Sequence, residues 1–177
     1  MARVGLVNKD QAAPEIREIF QKMEENGSRV LNVFKVMAHC PQVGYHFLRL
    51  GNSILFKGTV PPALRELAIL RVGHINRAKY EGTLHVPIAL RVGVREEQID
   101  ALRDWKNSGK YNEQERAVLQ YTDEVTQNIR VKNGTFAAVR SFLNEEGIVE
   151  LTATIGYYGM VCRILEALQV ELESPER

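Results

Sequence analysis

At 177 residues the chain has the length of one domain, enough to bury a core without disulfide or metal staples. Its composition, 45% hydrophobic and 25% charged, is that of an ordinary globular protein, and 23 Lys and Arg against 22 Asp and Glu, scattered along the chain, leave no basic footprint for nucleic acid. The opening Met1-Ala2-Arg3-Val4-Gly5-Leu6 lacks the apolar centre of a signal peptide, no apolar run approaches the ~18–20 residues that span a bilayer, and Cys40 and Cys162 form no Cys-x-x-Cys, so we expect a cytoplasmic protein with no membrane segment, disulfide framework, zinc knuckle or dithiol centre.

Ile16, Ile19, Phe20 and Met23 recur at helical spacing, with Pro14 suited to a first turn and Gly27 to a stop. Asn32 is expected to cap a short helix carrying Val33, Phe34 and Met37, closed by Pro41. Val43, Phe47, Leu50, Gly51, Ile54 and Leu55 mark the next stripe, which Gly58 ends. Pro61-Pro62 then opens a more apolar helix. Its Leu64, Leu67, Ala68, Ile69, Leu70 and Val72 cover most of the circumference, which predicts a central, buried position.

Asn76-Arg77-Ala78 reads as a break before a helix over about 79–92, with Gly93 as its C-cap. A shorter helix over 96–105 rests on Ile99 and Leu102, and Ser108-Gly109 is a turn. Asn112 with Glu115 resembles a capping box ahead of Val118, Tyr121 and Val125. Phe136, Val139 and Leu143 form a short stripe. Gly147 separates it from a long final helix through Ile148, Leu151, Ile155, Tyr158, Cys162 and Leu165. No run alternates polar and apolar with β-branched enrichment, so the expected fold is all-α, one domain over residues 1–177, with a frayed tail at Ser174-Pro175-Glu176-Arg177.

Three polar residues stand where apolar ones are expected. Glu81, His85, Ile88, Ala89 and Val92 share one helix face, so a carboxylate and an imidazole extend a stripe that should face the core. Glu66 sits amid the most apolar helix. Burial of such groups is costly unless they are paired, and the break near Arg77 lets the two helices fold side by side, bringing Glu66, Glu81 and His85 into one pocket. Two carboxyl groups and an imidazole can shuttle a proton near neutral pH without a cofactor. Two other readings stay open on spacing alone. Glu81 and His85 could be an ordinary helix pair, with Glu66 in a salt bridge to Arg65 or Arg71. Or Glu66, Glu81 and His85, with His74 or His39, could ligate a metal. Among weaker signals, His39-Cys40 reads as a nucleophile pair or as a turn, Tyr157-Tyr158 as a pocket phenol or as core, Gly156 and Gly159 as close helix packing, and Cys162 as core.

The stretch Leu64-Arg65-Glu66-Leu67-Ala68-Ile69-Leu70-Arg71-Val72-Gly73, then Tyr80-Glu81, then His85-Val86-Pro87-Ile88-Ala89, resembles the carboxymuconolactone decarboxylase family, which includes the alkyl hydroperoxidase D-like proteins. Asn32-Val33-Phe34, Ala38-His39, Leu50-Gly51-Asn52, Glu150-Leu151-Thr152 and Ile155-Gly156-Tyr157-Tyr158-Gly159-Met160-Val161 extend the resemblance over roughly residues 15–172. It implies an alkyl hydroperoxidase D-like helical fold and a homo-oligomer, dimer-based, trimeric or hexameric. It also implies a site at the helix pair just described. In the hydroperoxidase branch a Glu, a Cys-x-x-Cys and a His form the redox centre. Glu66 and His85 match the Glu and the His, while Ala78 and Glu81 occupy the cysteine positions, so the thiol chemistry is absent. Many relatives carry Trp at Gly82 and Asn at Gly159.

The expectation is therefore a lyase-like enzyme, free of cofactor and metal, that decarboxylates or isomerises a small carboxylated lactone or keto acid. His85, Glu81 and Glu66 would be catalytic, with Tyr80, Tyr158 and Phe34 against the substrate. The alternatives are a non-catalytic oligomeric protein that binds a small ligand, and a thiol peroxidase, which would need Cys40 or Cys162 in the pocket.

Overall fold

Prolines set where three helices begin. In the computed structural model, which describes residues 2–173, Pro14, Pro41 and Pro62 each open a helix, where a missing N–H costs nothing. The described residues are helical without a strand: α1 Pro14–Glu25, α2 Asn32–Met37, α3 Pro41–Phe56, α4 Pro62–Ile75, α5 Lys79–Arg91, α6 Glu96–Ala101, α7 Glu113–Asn128, α8 Asn133–Arg140 and α9 Glu145–Leu168, with 3-10 turns at Lys9–Gln11 and Leu102–Asn107. Met1 and the tail expected to fray, 174–177, lie outside the described residues. Gly58–Arg163 forms one compact unit; residues 2–57 and 164–173 form the other.

In the unit built on α1–α3, the core holds Ile16, Phe20, Val33, Val36, Phe47, Leu48 and Ile54. Two expectations are corrected there. Asn32 does not cap α2. It is the first helical residue, its backbone N–H donates to Glu173 Oε1 at 2.6 Å, and its side-chain amide donates to the Glu171 carbonyl at 3.0 Å. The buried stripe of α3 is Gly44, Phe47, Leu48, Gly51 and Ile54, while Val43 and Leu50 are 59% and 45% exposed. Close approach sets this rotation. A Cβ on Gly44 would lie 2.5 Å from the Met37 carbonyl oxygen, so only glycine can face α2 there.

The second unit is organised around α4, whose ten consecutive residues Leu64 to Gly73 are all buried. Leu67 and Leu70 pack with Ala89, Val94, Leu102, Trp105, Tyr111 and Leu119 in one apolar cluster. Such a helix must take its charged residues inside too. Arg71 is met by Asp123 of α7, Nε to Oδ1 at 2.6 Å and Nη2 to Oδ2 at 3.2 Å, and its Nη1 donates to the Leu102 carbonyl at 2.7 Å. Trp105 Nε1 donates to the same carboxylate at 3.2 Å, so one buried ion pair fastens α4, the 3-10 turn and α7 together.

Two boundaries also differ from expectation. The helix read over 96–105 ends at Ala101 and continues as the 3-10 turn, with Asp104 out of helical geometry at φ −124°. Gly147 does not precede α9 but lies in its first turn, where its N–H donates to Asn144 Oδ1 at 2.9 Å; Asn144 is the cap. The resulting 24-residue helix is long and apolar enough to cross a membrane by length and composition alone. That corrects the reading that no segment reaches this length, because Thr152, Thr154 and Gly156 interrupt the apolar run without interrupting the helix. More than half of its most apolar stretch is buried inside the protein, as in the core helix of a globular unit.

A Schellman turn joins α4 to α5. The Ala78 N–H donates to the Gly73 carbonyl at 3.0 Å and the Arg77 N–H to the His74 carbonyl at 3.2 Å, with Arg77 in the left-handed region at φ +57°. Arginine there carries a Cβ clash that glycine avoids. Arg77→Gly should raise stability by about 0.5–1 kcal/mol, or roughly 1–4 °C in Tm for a chain this size, in thermal unfolding followed by circular dichroism.

Candidate active site

The Schellman turn folds α5 back along α4, and glycine sets how close they come. A Cβ on buried Gly73 would lie 3.1 Å from the Cβ of Glu81, so the absence of a side chain there lets Glu81 reach the α4 surface. One turn further along α5 stands His85. Its Nδ1 lies 2.8 Å from Glu66 Oε2 and its Nε2 lies 3.5 Å from Glu81 Oε2. The structure therefore brings Glu66, Glu81 and His85 together, with the imidazole between the two carboxyl groups. Their exposures of 0%, 3% and 6% place all three inside the protein.

The geometry assigns protons. A carboxylate accepts and cannot donate, so the short bond to Glu66 puts a hydrogen on Nδ1 and leaves Nε2 facing Glu81. At 3.5 Å that second contact is an ion-pair distance, longer than a good hydrogen bond. Burial pushes the Glu81 carboxyl up to about 7; the charge of His85 pulls it down and that of Glu66 pushes it up again. Glu81 thus exchanges a proton near neutrality beside an imidazole nitrogen that can take one.

Tyr158 of α9 closes another side. Its ring stands edge-on to His85, centroids 4.9 Å apart at 87°, and Tyr157 stands edge-on to Tyr158 at 5.2 Å. Burial, with the nearby carboxylates of Glu81 and Glu66, holds the Tyr158 phenol well above the ordinary tyrosine range, so it stays protonated and can donate. Tyr80 is buried on α5 next to Glu81. Phe34 is half-buried on α2, in the other unit.

The metal-ligand reading finds no focus. Glu66 and Glu81 approach opposite edges of the imidazole, and among the described residues no group of three or more His, Cys, Asp and Glu side chains is placed to hold a metal ion. His74 is exposed at the end of α4, and His39 Nε2 lies 2.9 Å from the Gly5 carbonyl in the first unit. Cys40 is exposed ahead of α3, and Cys162 is buried in α9. Ala78, at one of the family's cysteine positions, is the buried residue that precedes α5.

Two further residues brace the site, Arg65, which the sequence offered as a salt-bridge partner of Glu66, and Glu150, which it did not single out. Arg65 is buried, with Nε 3.4 Å from Glu66 Oε1. Glu150 of α9 accepts from the Thr59 N–H at 2.5 Å, the Thr59 hydroxyl at 3.0 Å and the Val60 N–H at 3.2 Å, tying the helix that carries Tyr158 to the entry of α4. Its carboxylate fills the space a Cβ on Gly58 would need. Arg65 carried the same signal as Glu66, a charge within an apolar helix. Glu150 figured only in the family resemblance, with no sign of its contact to Thr59 and Val60.

The profile of the carboxymuconolactone decarboxylase family matches residues 41–124, the stretch that contains Glu66, Glu81 and His85. Over that stretch the chain is similar to the carboxymuconolactone decarboxylase family. An uncharacterised protein of Bacillus subtilis (strain 168), YdfG, is 28% identical over 106 residues, covering 59% of this chain and 72% of that one. Among solved structures, the alkylhydroperoxidase AhpD core of an uncharacterised peroxidase-related protein from Ralstonia eutropha JMP134 superimposes with a TM-score of 0.84 at 19% identity, covering 98% of this chain and 93% of that one. A variant of the debrominase Bmp8 in complex with 2,3,4-tribromopyrrole gives a TM-score of 0.80 at 22% identity, covering 98% and 95%. Both structural likenesses establish the alkyl hydroperoxidase D-like fold.

The proton on buried Glu81 is the quantity to measure. Its folded value lies above the unfolded 4.5, so the stability it contributes is complete below about 4.5 and is lost as the pH rises through about 7. Relative to Glu81→Gln, the wild type should lose on the order of 3 kcal/mol across that window. Urea melts at pH 4.5, 6 and 8 should show the two proteins diverging. Parallel curves would remove the raised carboxyl.

Proposed function

We propose that the chain is a cofactor-independent acid–base enzyme that decarboxylates or isomerises a small carboxylated lactone or keto acid. One observation carries the reading: an imidazole held between two buried carboxyl groups, one of which exchanges its proton near pH 7. In decarboxylation the bond to the carboxylate carbon breaks, carbon dioxide leaves, and the electron pair stays on the substrate as an enolate-like anion. Glu81 passes its proton to the bare Nε2 of His85, Nε2–H delivers it to that carbon, and solvent reprotonates Glu81. Glu66 keeps Nδ1 protonated and the ring fixed throughout. The Tyr158 phenol would donate to the developing oxyanion. Isomerisation uses the same groups, with Nε2 taking a proton from one carbon and returning it to another.

Thiol peroxidase chemistry gains no support, because Ala78 and Glu81 supply no thiolate at the cysteine positions. A non-catalytic ligand-binding protein is favoured by one specific observation: both ring nitrogens of His85 face carboxylates and the ring is almost sealed. Either reading goes with a homo-oligomer, since α9 leaves Val149, Ala153, Gly156 and Met160 exposed along one face, which a second copy could cover.

The test is thermal shift of the wild type and His85→Ala against small carboxylated lactones and keto acids, then carbon dioxide release for each hit. A ligand at 100 times its Kd adds ~2.7 kcal/mol, or roughly 5–11 °C here. The expected outcome is a hit that His85→Ala abolishes and turnover that falls about 10²–10⁴-fold in that variant. Hits confined to uncharged apolar compounds, with no turnover, would move the conclusion to the binding protein.

A further inference from the structure

The cluster of Glu66, His85 and Glu81 is almost sealed, so a ligand needs a wider way in. Of the two helices that form it, α4 is buried around its circumference and cannot move without disrupting the core. The first half of α5 is built more loosely. Gly82 occupies its interior, where glycine disfavours the helix, and its N–H reaches the Ala78 carbonyl only at 3.5 Å. Pro87 also lies inside α5 and has no N–H to offer the Thr83 carbonyl. Lys79, Thr83 and Pro87 face solvent, and a Cβ added to Gly82 would meet no atom within 4 Å. Arg77, in the left-handed region at φ +57°, precedes the segment.

We propose that residues 79–84 form a gate, which opens away from α4 between Arg77 and Pro87, breaks the Gly73–Glu81 contact and exposes the Nε2 edge of His85 to a small ligand. The gate rests on the reading of the cluster as a ligand site but not on the reaction performed there. The weak features of α5, Gly82 within the gate and Pro87 at its far hinge, lie on the Glu81 side of Ala89, which is packed into the apolar cluster.

Hydrogen exchange resolved by peptide mass spectrometry tests it on the full chain, alongside carbethoxylation of His85 by diethylpyrocarbonate. In the wild type, amides over 79–84 should exchange roughly 100-fold faster than those of α4, by local opening. Gly82→Ala should slow them by about fourfold, from the difference in helix propensity. Pro87→Ala, which restores an N–H, should slow them further. Neither should change α4, and acylation of His85 should slow in step. Exchange over 79–84 at the rate of α4 would overturn the gate. So would fast exchange with His85 acylation unmoved in both variants. No substrate is used, so failure to find turnover would not bear on this result.

Discussion

The structure of the second unit depends on a carboxylate in the middle of its most buried helix. Glu66 has no route to solvent, and an unpaired charge there would cost several kcal/mol. His85 answers it with a 2.8 Å hydrogen bond, which requires α5 to lie against α4 in one register. The Schellman turn through Arg77 provides the reversal, and the missing side chain at Gly73 provides the approach. The same bond that satisfies Glu66 fixes which nitrogen of His85 faces Glu81. A structural requirement and a chemical asymmetry thus come from one contact.

Around that contact the unit is held by polar clamps far apart in sequence. Arg71 and Asp123 join α4 to α7, and Glu150 joins α9 to the entry of α4. These clamps position Tyr158 and the helix pair without touching the imidazole. The Glu66 side of His85 is the short, hydrogen-bonded contact at 2.8 Å, and the Glu81 side, at 3.5 Å, is the longer one. That difference suits a group that holds a proton donor on one edge and presents the other to a ligand.

Much of this was legible in the sequence. Charges within the apolar run from Leu64 to Val72 could only be buried, and the helical spacing of Glu81 and His85 placed them on the inward face. Family resemblance supplied the fold, which the sequence pattern alone left as an unspecified helical domain. The remainder depended on distant partners. Arg71 carried the same anomaly as Glu66, but Asp123 lies 52 residues away, with no local sign that the two meet. The rotation of α3 was misread because Val43 and Leu50 fit a helical stripe as well as Gly44 and Leu48 do. The Met37 carbonyl, which selects between them, is invisible to periodicity. Gly147 read as a break because glycine often is one, yet Asn144 starts the helix ahead of it.

The central claim is that Glu66 holds a proton on Nδ1 of His85. Nitrogen-15 correlation spectra of the imidazole, recorded between pH 5 and 9 on the wild type and Glu66→Gln, test it most directly. The expected result is an Nδ1-bound proton protected from solvent exchange throughout the folded range, with that protection lost in Glu66→Gln. A neutral ring carrying its hydrogen on Nε2, with Nδ1 bare beside Glu66, would contradict it.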